Sequence, residues 1–194
     1  MKKLLACLFV TFSTLLPVSL LQAGGIHYQI STSTRFFANE AGQLEGFLMN
    51  WVYDPEISSV ILEGLEMDAA SLQQLGKDMM ADLFELGYFV QFSANSRPIT
   101  VNEVSEFNIQ LVDNNSIQLG MQVDLRESVP LAGNSFQLTL ADFDGSALLA
   151  YAGVDRIALS PEMTGKCSAP QLTSRKTDLN GHNMDVQTVT IRCQ

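Results

Sequence analysis

Phe107-Asn108-Ile109-Gln110-Leu111-Val112-Asp113-Asn114-Asn115-Ser116-Ile117-Gln118-Leu119-Gly120-Met121-Gln122-Val123-Asp124-Leu125 decides the fold class of this chain. Phe107, Ile109 and Leu111 alternate with polar residues, and so do Ile117, Leu119, Met121, Val123 and Leu125. A strand turns successive side chains to opposite faces, so each half reads as a half-buried strand. Asp113-Asn114-Asn115-Ser116 between them is turn chemistry, and the whole predicts a β-hairpin.

Working outward from it, the same period-two pattern recurs upstream. Tyr28, Ile30, Thr32, Thr34 and Phe36 share one face of a predicted strand over 27–37. After the turn signal Asn39-Glu40-Ala41-Gly42, Phe47, Met49, Trp51 and Tyr53 share one face of a second strand. The period then changes. Asp54 is placed to cap a helix opened by Pro55, with Ile57, Val60, Ile61 and Leu65 as its stripe. Ser71 with Gln74 reads as the capping box of a second helix. Its stripe is Leu72, Leu75, Met79, Leu83 and Leu86, with Gly87 as the stop.

Downstream the chain is β-rich. Strands are expected over Tyr88–Phe92, around Phe136, Leu138 and Leu140, and, from weaker patterns, over 147–151, 156–159 and 186–191. The expected fold is α+β: a mainly antiparallel sheet domain with a two-helix insertion after the first hairpin.

The first residues read differently. Met1-Lys2-Lys3 precedes an apolar run from Leu4 to Leu21, then Gln22-Ala23 before Gly24. A basic start, an apolar centre and a small residue at the cut define a secretory signal peptide, here residues 1–23, cleaved after Ala23. The competing reading, a retained anchor, asks a run broken by Thr11, Ser13, Thr14, Pro17 and Ser19 to span a bilayer. Residues 24–194 are the length of one domain, with a periplasmic location expected and no further apolar stretch long enough to span a membrane.

The whole chain carries a formal charge of −10, and loss of Lys2 and Lys3 takes it to −12. Such a surface repels phosphate backbones, so nucleic acid is excluded as a partner. Cys167 and Cys193 remain after cleavage, 26 positions apart. An even pair in an oxidising compartment reads as a disulfide, whose closure contributes about 3 kcal/mol in the chain-entropy account. That spacing fits neither a Cys-x-x-Cys redox motif nor a zinc finger.

There are two histidines, His27 and His182. His27 stands fourth from the expected mature terminus, where a terminal amine, amides and an imidazole can enclose Cu(II) or Ni(II). The other reading is a solvent-facing histidine at the start of a strand. His182, in Asn180-Gly181-His182-Asn183, reads as an exposed loop residue inside the disulfide loop; it joins a metal site only if the fold brings it to His27 or a carboxylate. Glu63, Glu66 and Asp68 match no calcium-loop spacing, and Asp142-Phe143-Asp144-Gly145 reads as a turn. No Gly-x-Ser-x-Gly, His-Glu-x-x-His or glycine-rich phosphate loop occurs, and no pair of carboxylates is marked as catalytic. A non-enzymatic role is the expectation.

Four stretches resemble a family of exported bacterial proteins known as domain of unknown function 1007. Gly25-Ile26-His27-Tyr28 is similar to its His-Pro-His opening, and Asn50-Trp51-Val52-Tyr53-Asp54 running to Ile61-Leu62-Glu63 is similar to its tryptophan strand and first helix. Gly87-Tyr88-Phe89 resembles its Tyr-Phe pair after the second helix. Ala141-Asp142-Phe143-Asp144 followed by Cys167 resembles its Tyr-Asp strand and cysteine. The resemblance implies a periplasmic accessory or solute-binding-like protein of nickel, cobalt or zinc transport. It would work beside inner-membrane transporter components, with His27 the residue that maps onto the opening and Zn, Ni or Cu the metals in view. The family's calcium-like stretch between the helices is replaced here by the shorter Gly64-Leu65-Glu66-Met67-Asp68. The alternative is a periplasmic protein–protein interaction module without a metal role.

Overall fold

The computed structural model describes residues 28–194. The hairpin of β1 (Tyr28–Ala38) and β2 (Gln43–Tyr53) comes first, and α1 (Pro55–Ile61) and α2 (Ala69–Glu85) follow. Then come β3 (Val90–Ala94), β4 (Arg97–Pro98), β5 (Phe107–Val112), β6 (Ser116–Pro130) and β7 (Ser135–Leu140). The last four strands are β8 (Ala147–Ala150), β9 (Ile157–Leu159), β10 (Gln171–Leu179) and β11 (His182–Arg192). One sheet runs β5-β6-β2-β1-β8, with β9 also on β1; the other runs β10-β11-β7-β3-β4. Pairing is antiparallel except for β8 and β9, which lie parallel to β1. The α+β class and the helical pair after the first hairpin are therefore as the periodicity implied.

The inward faces meet in one core. Phe92 of the second sheet touches Phe36 and Phe47 of the first at ring-centre distances of 6.4 and 5.5 Å. Trp51 stacks on Phe89 at 6.1 Å. Every inward residue read from β2 and from the second half of the central hairpin is buried. A large apolar side chain so buried contributes about 1.5–3 kcal/mol of transfer free energy, which is why the alternation pins the register.

The helices cover the inner side of the first sheet's edge. Gly76 of α2 sits against β5, where a Cβ would lie 2.7 Å from Phe107 and 3.0 Å from Ile109. In α1 the buried residue is Ser58: its hydroxyl accepts from the Ile117 N–H at 3.0 Å and donates to the Tyr53 carbonyl at 3.4 Å. Val60, expected in the apolar stripe, is 58% exposed, because a seven-residue helix held at Ser58 turns that position outward. Leu86 is likewise exposed, since it is the C-cap and the chain leaves the helix there.

Three further expectations are corrected. The cap of α2 is Asp68, which accepts from the Ser71 N–H at 2.7 Å, and not Ser71 with Gln74. The strand expected to begin at Tyr88 begins at Val90. Gly87, Tyr88 and Phe89 instead form a left-handed turn with φ of 61°, 54° and 52°. Packing outweighs a backbone cost of about 1–2 kcal/mol per non-glycine residue: Phe89 reaches Trp51, and the buried Tyr88 hydroxyl accepts from the Val104 N–H at 2.9 Å. The segment between Cys167 and Cys193, read as a polar loop ending in a strand, is the β10–β11 hairpin with Asn180-Gly181 at its tip. The two cysteines form the expected disulfide across an antiparallel bridge.

Candidate functional site

At one end of the sandwich, three segments distant in sequence converge on the turn after β7. Asp142 is buried, and its carboxylate accepts from the N–H groups of Asp144, Ser146 and Ala147 at 3.0, 3.0 and 2.8 Å. The turn closes with Gly145 N–H on the Asp142 carbonyl at 3.1 Å. β1 begins on this turn: the Tyr28 N–H donates to the Ser146 carbonyl at 3.1 Å. The next residue is locked to α1, because Gln29 N–H donates to Asp54 Oδ2 at 2.8 Å while Asp54 Oδ1 caps the helix at Ile57.

The tip of the β10–β11 hairpin rests on the same turn. A Cβ at Gly145 would lie 2.8 Å from the Leu179 carbonyl and 3.0 Å from His182 Cδ2. His182 is therefore not a loop residue: it opens β11 and pairs with Leu179. Tyr28 stacks on Tyr53 at 6.4 Å. Burial, and then the Asp142 carboxylate, raise the Tyr28 phenol above its ordinary value. Tyr53 is raised further, by burial and then by Tyr28. Both phenols are therefore neutral hydrogen-bonding groups at neutral pH.

Chemically, Asp142 and Asp54 are committed to backbone amides, the Asp144 carboxylate is exposed, and the His182 imidazole lies against Gly145. His27, the residue before Tyr28, and the expected signal segment 1–23 lie outside the described residues. Asp68 is committed to its cap, where the Ser71 N–H holds the carboxyl below the usual range; Glu63 and Glu66 are exposed. Among the described residues no group of three or more His, Cys, Asp or Glu side chains is close enough to hold a metal ion. Nor is any helix there long and apolar enough to cross a membrane.

The sequence reading did not foresee the convergence of Asp142, Gly145 and His182. Its local signals were present as Asp-x-Asp-Gly and Asn-Gly, but the pairing of turn with hairpin is a property of the sheets.

These features define a disulfide-stapled β-sandwich with a helical pair over one sheet edge and a polar end where β1 begins. The chain belongs to the family described as "Protein of unknown function (DUF1007)", whose profile matches residues 14–176. That span includes His27 and the Asp142 turn and stops within β10, before His182. A search of curated proteins finds no match.

Proposed function

We propose that this protein is an exported, periplasmic, non-enzymatic accessory of transition-metal transport or homeostasis, with its metal-handling end at the start of β1. One observation carries the reading. His182 packs on Gly145 while Tyr28 bonds Ser146, so the starts of β11 and β1 meet one five-residue stretch that also carries Asp144, and His27 directly precedes β1 in sequence. Two imidazoles and a carboxylate are a donor set for Zn(II), Ni(II) or Cu(II). The partners in this reading are inner-membrane transporter components.

The test uses untagged protein beginning at Gly24, its terminus verified by mass. Calorimetric titration with each of the three ions is expected to give micromolar or tighter binding to at least one, weakened at least tenfold in both His27→Ala and His182→Ala. No binding, or binding indifferent to both substitutions, overturns the reading.

A second reading, a docking module without a metal role, is favoured by the helical pair. Val60, Met67, Phe84 and Leu86 are exposed there, among Glu56, Glu63, Glu66, Asp78, Asp82 and Glu85. Exposed apolar residues on an insertion are the usual material of a protein interface. Capture of a transporter component that is abolished by Phe84→Asp and unchanged by His182→Ala supports this reading over the first.

A further inference from the structure

The outer face of the first sheet carries a groove of unusual chemistry. Cross-strand register aligns Ser33, Asn50, Gly120 and Asn108 in one row from β1 to β5. One flanking row is Ser31, Val52, Gln118 and Gln110. Neither row contains a charge, in a chain with 21 acidic residues. At about 4.8 Å between strands, the row is some 14 Å long.

Glycine makes the groove. Gly120 lacks the side chain that would fill the row's centre, and the Asn108 amide leans over it from the neighbouring strand. Two depressions of about 400 and 230 Å3 meet at Asn50. A third, of about 380 Å3, joins the first at Gln122 and is lined by Phe37. A Cβ at Gly46 would strike the Val123 carbonyl of β6 and sit 2.8 Å from Phe37 Cζ, so the bare backbone there serves the close approach of β6 and also lets the ring lie over the strand. Leu48, 40% exposed, adds an apolar wall. Among the described residues, no hydrogen bond engages the side chains of Ser33, Asn50 or Asn108.

We infer that this groove binds an uncharged glycan chain. A side-chain amide donates and accepts at once, which is what hydroxyls require. A ring held against a sheet offers an apolar, electron-rich face to the C–H side of a pyranose. The two uncharged rows match a neutral ligand. Charged residues stand around these rows and not in them: Arg35 beside Leu48, Arg156 and Glu106 at the two ends, and Glu45 and Asp124 in the depression lined by Phe37. A peptide is the poorer fit, because a strand is recognised along a sheet edge by its main chain, not across a face.

The experiment is heteronuclear NMR of the 24–194 chain titrated with cellotetraose and with maltotetraose, two neutral tetrasaccharides of different linkage, and with tetraalanine. One sugar is expected to give saturable shifts at the side-chain NH2 signals of Asn50 and Asn108. Phe37→Ala and Asn50→Ala should each weaken it at least fivefold, while Gln137→Ala on the other sheet leaves it unchanged. Retained amide dispersion identifies the variants that fold; Asn50→Ala, at a half-buried surface position, keeps the test valid if Phe37→Ala does not. No saturable shift with either sugar at concentrations on the order of 10 mM overturns the inference. So does binding indifferent to Asn50→Ala, or tetraalanine shifting the same signals more strongly than the sugars.

Discussion

The side-chain amide of Gln187 is bonded at both ends to the main chain of Tyr151: Oε1 accepts from the Tyr151 N–H at 2.7 Å, and Nε2 donates to its carbonyl at 3.3 Å. Gln187 belongs to β11 of one sheet, and Tyr151 follows β8 of the other. An amide side chain thus stands in for a missing neighbouring strand. It holds Tyr151 where its buried hydroxyl reaches Thr34 at 2.7 Å. Replacing Gln187 by Leu strands a donor and an acceptor, and is expected to cost about 1–3 kcal/mol in urea unfolding. Gln187→Glu keeps the acceptor and should fall between Leu and the parent.

The disulfide closes the β10–β11 hairpin at its open end, where Cys167 and Cys193 face one another. The double change Cys167→Ala, Cys193→Ala is expected to lower stability by about 2–4 kcal/mol. Reductant should destabilise the parent and leave the double variant unaffected. Equal sensitivity of the two to reductant contradicts this.

The tyrosines set an alkaline limit. Burial pushes Tyr151 up to about 12, and Tyr28, Tyr53 and Tyr88 are all raised from 10.0, burial being the first cause in each. A phenol is neutral when protonated, so the folded state keeps protons that the unfolded chain releases. Their contribution to stability is therefore complete below pH 10 and is lost as pH rises from about 10 towards 12. Tyrosinate absorbance near 295 nm should emerge together with loss of tertiary structure, as one cooperative step; free titration near pH 10 in the folded protein would refute it.

Gly145 has φ of +73° and no room for a methyl group. Gly145→Ala is expected to cost roughly 1–2 kcal/mol from the backbone alone, and more from overlap with Leu179 and His182. In the metal-handling reading it also weakens ion binding, because it moves His182 off the turn. Gly87, equally left-handed at +61° but with nothing within 4 Å, is the control: Gly87→Ala should cost stability without touching ion binding.

What the sequence revealed follows from burial. Strands with one wet and one dry face, such as those bearing Trp51 or Val123, write their period into the chain, and the Asp54-Pro55 start of α1 is a local signal. β10 left no such trace. Gln171–Leu179 is an edge strand exposed over most of its length, so Ser174, Arg175 and Lys176 are under no alternating constraint. The left-handed Tyr88 and Phe89 looked like strand because both are aromatic, and only the position of Trp51 explains the turn. At the polar end, Asp142 and Gly145 read locally as a turn. Nothing near them in sequence marks His182, which arrives through the register of a hairpin nearly forty residues later.

The parallel pairing of β1 carries a last consequence, for the order in which the molecule can form. Tyr28 pairs with Ala147 and Phe36 with Leu159, so the first strand made must wait for partners more than a hundred residues behind it. The β1–β2 hairpin can close early, but its other edge stays open until most of the chain has emerged. Closing so long a loop is slow, and an open edge meanwhile invites pairing with the wrong strand. Chaperone dependence and aggregation during synthesis should therefore concentrate on the exposed side of β1, and ease once residue 159 is free to dock.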